Sequence, residues 1–242
     1  VAADPLGPGA GQLPAPVSGR PAPKEQLTEA PSWLGSAPRL PDRFVPGAQI
    51  RVLEAGVGWV AVDKPAGLLT VPGRGPERAD CVEAQVRALF PRAERAYAAH
   101  RLDLETSGVV VVALDRERSV ALTAAFTERR VEKSYEAVLA APCQGAGRIA
   151  LPIGPDTPPR QRIADDGRPA VTHWRALGQH RIALVPETGR THQLRLHCAA
   201  GLGAPILGDS LYGDPAAAPR LLLHATALQV AGFPRWTSPP PF

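Results

Sequence analysis

Six consecutive apolar residues, Val109-Val110-Val111-Val112-Ala113-Leu114, constrain this chain more than any other stretch. Four are β-branched, and such a run reads as a strand buried on both faces. Gly108 punctuates its entry. Just ahead lies His100-Arg101-Leu102-Asp103-Leu104-Glu105-Thr106-Ser107, a loop that presents one carboxylate, Asp103, beside Arg101 and a hydroxyl pair. Functional groups are often carried on loops held by rigid elements. The stretch therefore points to a single reactive carboxylate among guanidinium groups.

The remaining pattern supplies elements around that strand. Ile50–Leu53 and Trp59–Val62 read as two strands about a glycine turn. Asp63-Lys64-Pro65-Ala66-Gly67-Leu68-Leu69-Thr70-Val71-Pro72-Gly73 is a Pro/Gly-fixed loop, with Lys64 a candidate phosphate or structural ion-pair partner. Val82, Val86, Leu89 and Phe90 predict an amphipathic helix over 79–90, ended by Pro91. A second helix is predicted over 116–128, with Val120, Leu122, Ala124 and Phe126 apolar. Arg129 and Arg130 suit the dipole at its C-terminus. Lys133–Leu139 alternates as a half-buried strand. Residues 148–187 read as several strands, His173 and His180 being ordinary members of them, with a hairpin turn at Asp165-Asp166-Gly167. Glu187–His197 holds a Thr-Gly turn opening a helix, with Thr191 as candidate cap and His192, Arg195 and Ala199 sharing a face.

Composition bounds the class. Residues 1–45 carry 9 of the 28 prolines and balanced charge, so this extension is expected to be disordered, leaving 46–242 as the folded domain and placing the net +4 on it. No long apolar segment or export leader is visible, and the chain is expected to be cytoplasmic. Cys81, Cys143 and Cys198 lie far apart and read as small buried hydrophobes. His192 and His197 are five apart, on different helical faces, so no metal site is expected. Only Lys24, Lys64 and Lys133 of the 27 basic residues are lysines. Codon bias accounts for that excess of arginine, since Met and Asn are absent, yet the guanidinium groups can grip phosphates whatever their origin.

His-Arg-Leu-Asp, then Thr-Ser-Gly and a valine strand, resembles the catalytic segment of the RluA family of RNA pseudouridine synthases. Two further segments match in the family's order: the Lys-Pro loop at 64–73 and Gly189-Arg190-Thr191-His192-Gln193-Leu194-Arg195. One short motif is weak evidence, and three in order are specific. Lys133-Ser134-Tyr135-Glu136-Ala137, the turn at 204–213 and Pro219-Arg220-Leu221-Leu222-Leu223-His224-Ala225 extend the resemblance over roughly 50–225. After Gln229 the terminal hairpin looks shortened. No S4-like basic module is legible upstream, as in the short members of the family.

The resemblance implies an α+β pseudouridine synthase fold, with a mixed, mostly antiparallel central sheet, flanking helices and a catalytic cleft across the sheet. The absence of regular βα alternation agrees. It also implies isomerisation of uridine to pseudouridine in structured RNA, tRNA or rRNA, by a monomer needing no cofactor. Asp103 is then the essential residue, attacking C1′, adding to C6 or deprotonating C2′. Tyr135 packs on the uracil and could help move a proton at C5. Arg195 meets Asp103 and keeps it charged and oriented. Arg101 becomes the wedge that replaces a flipped base. Leu102 supports the loop, Thr106 and Ser107 bond its backbone, and His192 and Leu194 lie on the substrate side. Arg160 and Arg162, in the basic hairpin, become RNA contacts. Two other classes stay open: a hydrolase using Asp103 with Glu105, whose i, i+2 side chains share a face if extended, and a non-catalytic RNA-binding module.

Overall fold

The computed structural model describes residues 47–242, so the expected disorder of 1–45 lies outside the described residues. Strand β1 (Arg51–Gly56) turns at Val57-Gly58 into β2 (Trp59–Lys64), which is almost wholly buried. Helix α1 (Val82–Leu89) starts where Cys81 Sγ accepts the Ala84 N–H at 3.4 Å, and it buries Val82 and Val86. After the short β3 (Tyr97–Ala98) comes the valine strand, β4 (Ser107–Ala113), buried at every position.

Both faces of β4 are covered, for a visible reason. Val110 and Val112 pack with Val60, Val62, Leu68 and the α1 valines. Val109, Val111 and Ala113 pack with Leu122 and Ala125 of α2 (Arg116–Thr127) and with Leu228 and Trp236. Each buried valine contributes roughly 1.5–3 kcal/mol relative to exposure. In α2 the buried positions are Ser119, Leu122 and Ala125; Val120, expected on the apolar side, is 62% exposed.

The chain continues through β5 (Val131–Val138), β6 (Ala146–Ala150), β7 (Ile153–Pro155), β8 (Gln161–Ile163), β9 (Val171–Ala176) and β10 (Arg181–Pro186). Helix α3 (Gln193–Leu196), β11 (Leu223–Val230) and β12 (Arg235–Thr237) complete it. The main sheet runs β1-β2-β4-β11-β5-β10-β9-β6, with β12 on β11 and β3 on β4. Of these strands only β4 and β11 pair in parallel, so the sheet is mixed and mostly antiparallel, as expected. The terminal hairpin is present, with β12 pairing to Ala227–Gln229.

Three local expectations change. The Asp165–Gly167 turn forms, closed by Gly167 N–H to Ala164 C=O at 2.8 Å, but it leads to a single bridge at Arg168. The paired hairpin is β7 with β8. His180 sits in the turn before β10, bonding the Leu139 carbonyl, and not in a strand. The helix after Thr191 has only four residues before passing into a wider π turn at His197–Gly201. Its cap position is His192, in the left-handed region at φ 56°, with no side-chain cap bond, so Thr191 does not cap it.

The β4–β11 junction depends on Gly108. Its φ is +118°, and a Cβ there would lie 2.3 Å from the Ala225 carbonyl oxygen. Backbone cannot yield as a side-chain tip can, so Gly108→Ala is expected to cost about 3 kcal/mol, seen as a lower urea midpoint at unchanged m-value. A loss below about 1 kcal/mol would mean that the two strands separate easily there.

Candidate active site

The loop carrying Asp103 is braced from below by the Lys-Pro segment. A turn closes it, with the Thr106 N–H donating to the Asp103 carbonyl at 3.1 Å. Leu102, 7% exposed, has its carbonyl and N–H both bonded to Thr70 Oγ1, at 3.0 and 3.2 Å. The Leu104 carbonyl accepts from the Gly67 N–H at 2.8 Å and from Lys64 Nζ at 3.2 Å. Lys64 also donates to the Leu68 carbonyl at 2.7 Å and the Pro65 carbonyl at 3.0 Å. Three acceptors match the three ammonium hydrogens.

Lys64 is therefore not a phosphate ligand. It is completely buried, and its partners are carbonyls rather than a carboxylate. Burial lowers its pKa to about 7, against the opposing charges of Asp103 and Asp63. The hydroxyl pair also differs from expectation. Ser107 Oγ bonds His224 Nδ1 at 2.8 Å and accepts from Arg220 at 3.2 Å, while Thr106 Oγ1 is buried without a partner.

Above this loop opens a cavity of about 440 Å³. Its lining brings together Asp103, Tyr135 and Arg195 from three distant segments, with Arg101, Leu102, His192 and Leu194. Arg160, Arg162 and Lys64 do not line it. Arg160 stacks on the outer Tyr212 ring at 5.3 Å, and Arg162 bonds the Pro155 carbonyl within its own hairpin. Arg101 is exposed at the rim, and among the described residues neither its side chain nor the Asp103 carboxylate has a hydrogen-bond or ion-pair partner. Burial first, and the Asp103 charge second, push the Tyr135 hydroxyl well above its ordinary value. Tyr135 thus keeps its proton across the whole working range of pH.

Arg195 reaches the cavity, but not by the contact expected of it. It is 2% exposed, and its guanidinium forks onto Asp209 through Nε–Oδ2 at 2.8 Å and Nη2–Oδ1 at 2.6 Å. Glu105 adds a third contact at 3.0 Å. Asp103 affects Arg195 only through its charge, and no ion-pair contact joins them. A buried guanidinium needs a fully bonded carboxylate, and Asp209, itself at 0% exposure, also accepts the Leu211 and Tyr212 N–H groups at 2.9 Å. Burial would raise the Asp209 carboxyl, but Arg195 and these two N–H groups hold it below its usual value. Tyr212 joins the rest: its ring lies 5.5 Å under Arg195, and its hydroxyl meets His192 Nδ1 at 2.8 Å. His192 precedes α3, so it does not share a helix face with Arg195.

Residues 58–200, more than half the chain, match the family model for RNA pseudouridylate synthase. The chain is 43% identical over 183 residues to the dual-specificity RNA pseudouridine synthase RluA of Escherichia coli K12, covering 71% of this chain and 82% of that protein. To the Yersinia pestis protein of the same name it is 44% identical over 181 residues, covering 70% and 86%. The chain belongs to the RluA family of RNA pseudouridine synthases. Its fold is likewise that of the human RNA pseudouridylate synthase domain containing 1 protein, at TM-score 0.69 and 27% identity, with 82% and 87% of the two chains covered. The human domain containing 4 protein aligns at TM-score 0.64 and the same identity, over 78% and 88%.

In this synthase Asp209 is the residue that sequence reasoning passed over, having taken 204–213 as a structural turn. No local cue singled it out: Gln193–Cys198 alternates polar and apolar residues, and Asp209 stands in a Pro/Gly-rich turn. Glu105 is claimed by Arg195 and by Ser210 at 2.9 Å, and it does not line the cavity. That removes it as the second carboxylate of a hydrolase. Among the described residues no three His, Cys, Asp or Glu side chains are placed to share a metal ion, and no helix is long and apolar enough to cross a membrane.

Proposed function

We propose that this synthase isomerises a uridine in the loop of an RNA stem-loop, either a tRNA anticodon arm or a hairpin of 23S rRNA, with Asp103 as the attacking carboxylate. The supporting observation is the unpaired Asp103 carboxylate in a cavity beside Tyr135. A carboxylate can act as a nucleophile, and one already committed to an ion pair is poorly placed to do so. The relatives named as dual-specificity RNA pseudouridine synthases make two kinds of substrate a reasonable expectation.

In the reaction the N1–C1′ bond breaks and a C5–C1′ bond forms, while the hydrogen leaves C5 and N1 gains one. No group enters or departs. The base must first leave its stack, at a cost of about a few kcal/mol. Arg101, exposed and unpartnered at the rim, fills the vacated space with its planar guanidinium. Tyr135 stacks on the extruded uracil as a neutral phenol, and its retained proton makes it a donor rather than a base. Arg195 serves by holding the wall, tied to Asp209 and Glu105, and acts on Asp103 through its field. Arg160 and Arg162 lie outside the cavity on the β7–β8 hairpin, where they can reach the stem. The enzyme works as a monomer in the cytoplasm.

Pseudouridine mapping of tRNA and rRNA from cells with and without the gene tests this reading. Loss of one or more sites in an anticodon loop or a 23S rRNA hairpin is expected, and their restoration by the wild-type gene. Unchanged maps for both RNA classes would overturn it.

A further inference from the structure

We propose that Lys133 and Arg129 form a clamp for one backbone phosphate next to the extruded uridine. This rests on the uridine-binding role of the same cavity. Lys133 stands two residues from Tyr135 on β5, so both side chains leave the same sheet face and both line the cavity. The ammonium is partly buried, yet its one hydrogen bond is a long 3.4 Å contact to the Thr188 carbonyl. It lies against the Thr188–Gly189 turn, 3.6 Å from where a Gly189 Cβ would be.

Arg129 lines the same cavity from just past the end of α2. The helix is closed by the Arg130 N–H donating to the Ala125 carbonyl at 2.8 Å, which leaves Arg129 at φ +58°. Glycine is the usual residue in that conformation, and a side chain there costs roughly 1 kcal/mol. Here the strained residue directs an arginine into the cavity lining. Its neighbour Arg130 is paired with Glu128 at 2.7 Å, whereas the Arg129 side chain has no ion pair or hydrogen bond among the described residues. The cavity lining holds one carboxylate besides Asp103, that of Glu187; it is hydrogen-bonded to His173 and makes no ion-pair contact with Arg129 or Lys133 among the described residues. Two cations thus line one cavity with no carboxylate in ion-pair contact with either among the described residues, and burial first, the Arg129 charge second, depress the Lys133 ammonium. Uracil is neutral and cannot relieve that repulsion. A phosphodiester can, through the Lys133 point charge and the Arg129 fork.

The test uses a stem-loop that the wild-type protein converts, in its natural form and with a single neutral methylphosphonate 5′ or 3′ of the target uridine. Affinities are measured for the wild type, Lys133→Gln, Lys133→Arg and Arg129→Gln. Lys133→Gln is expected to weaken binding about 10-fold at 0.1 M salt and to lower the slope of log K against log salt by about one phosphate's worth. Lys133→Arg should restore most of the loss. The methylphosphonate at one of the two positions should weaken the wild type by a similar factor and add nothing to Lys133→Gln. Arg129→Gln, at an exposed side chain, repeats the cycle should Lys133→Gln lower the thermal midpoint. Independent, additive penalties at both positions, or salt slopes equal to wild type, would overturn the clamp while leaving the stem-loop activity standing.

Discussion

Asp103→Asn is expected to lower pseudouridine formation by about 10⁴-fold or more, since it removes the carboxylate proposed as nucleophile and leaves the rest of the cavity intact. The substitution is nearly isosteric. The Asp103 side chain has no hydrogen-bond or ion-pair partner to lose among the described residues, and its backbone turn is held by Thr106 and the Lys64–Thr70 segment. Stability should therefore stay within about 0.5 kcal/mol of wild type, and RNA affinity close to it. Single-turnover conversion of a stem-loop, with binding measured in parallel, separates the two. Conversion above a few per cent of wild type would remove Asp103 from the chemistry. Collapse of the thermal midpoint would show instead that the carboxylate holds the loop.

Asp209→Asn is expected to cost about 3–5 kcal/mol of folding stability, the largest thermodynamic effect in the site, because it strands a buried guanidinium. Glu105 is the one remaining anion on Arg195, and it is partly exposed. The wild type should also lose more stability in acid than the variant does. The folded Asp209 carboxyl lies below its unfolded value of 3.8, so its stabilising contribution is complete above that value. It fades as the pH falls through the lower, folded value. Urea unfolding of both proteins from pH 7 down to pH 3 measures this. The two stabilities should differ most near neutral pH and converge in acid. A difference under about 1 kcal/mol at pH 7 would mean that Glu105 alone satisfies Arg195.

The position of the Asp103 loop ahead of the buried strand was legible in the chain because its cues are local. A run of β-branched residues forces a buried strand, Gly108 marks the junction where β4 approaches β11, and the acid sits at a fixed distance before both. The mixed sheet and the membership in the family followed from motifs in order. What stayed hidden was partnership. Arg195 was read as meeting Asp103, but its fork lies on Asp209, 14 residues onward in a turn that carried no catalytic cue. Lys64 was offered a phosphate, but three carbonyls from its own loop and the Asp103 loop enclose it. Arg129 was accounted for by the helix dipole, though its backbone conformation places it on the cavity wall.

Sequence alone determined the buried central strand and its mostly antiparallel neighbours, which carboxylate precedes that strand and which family the chain joins. Tertiary structure decided which charges touch. Hydrophobic periodicity and turn chemistry act over a few residues, so they can be read along the chain. An ion pair depends on burial and on distances across the fold, and neither exists until β4, β5 and β11 lie side by side.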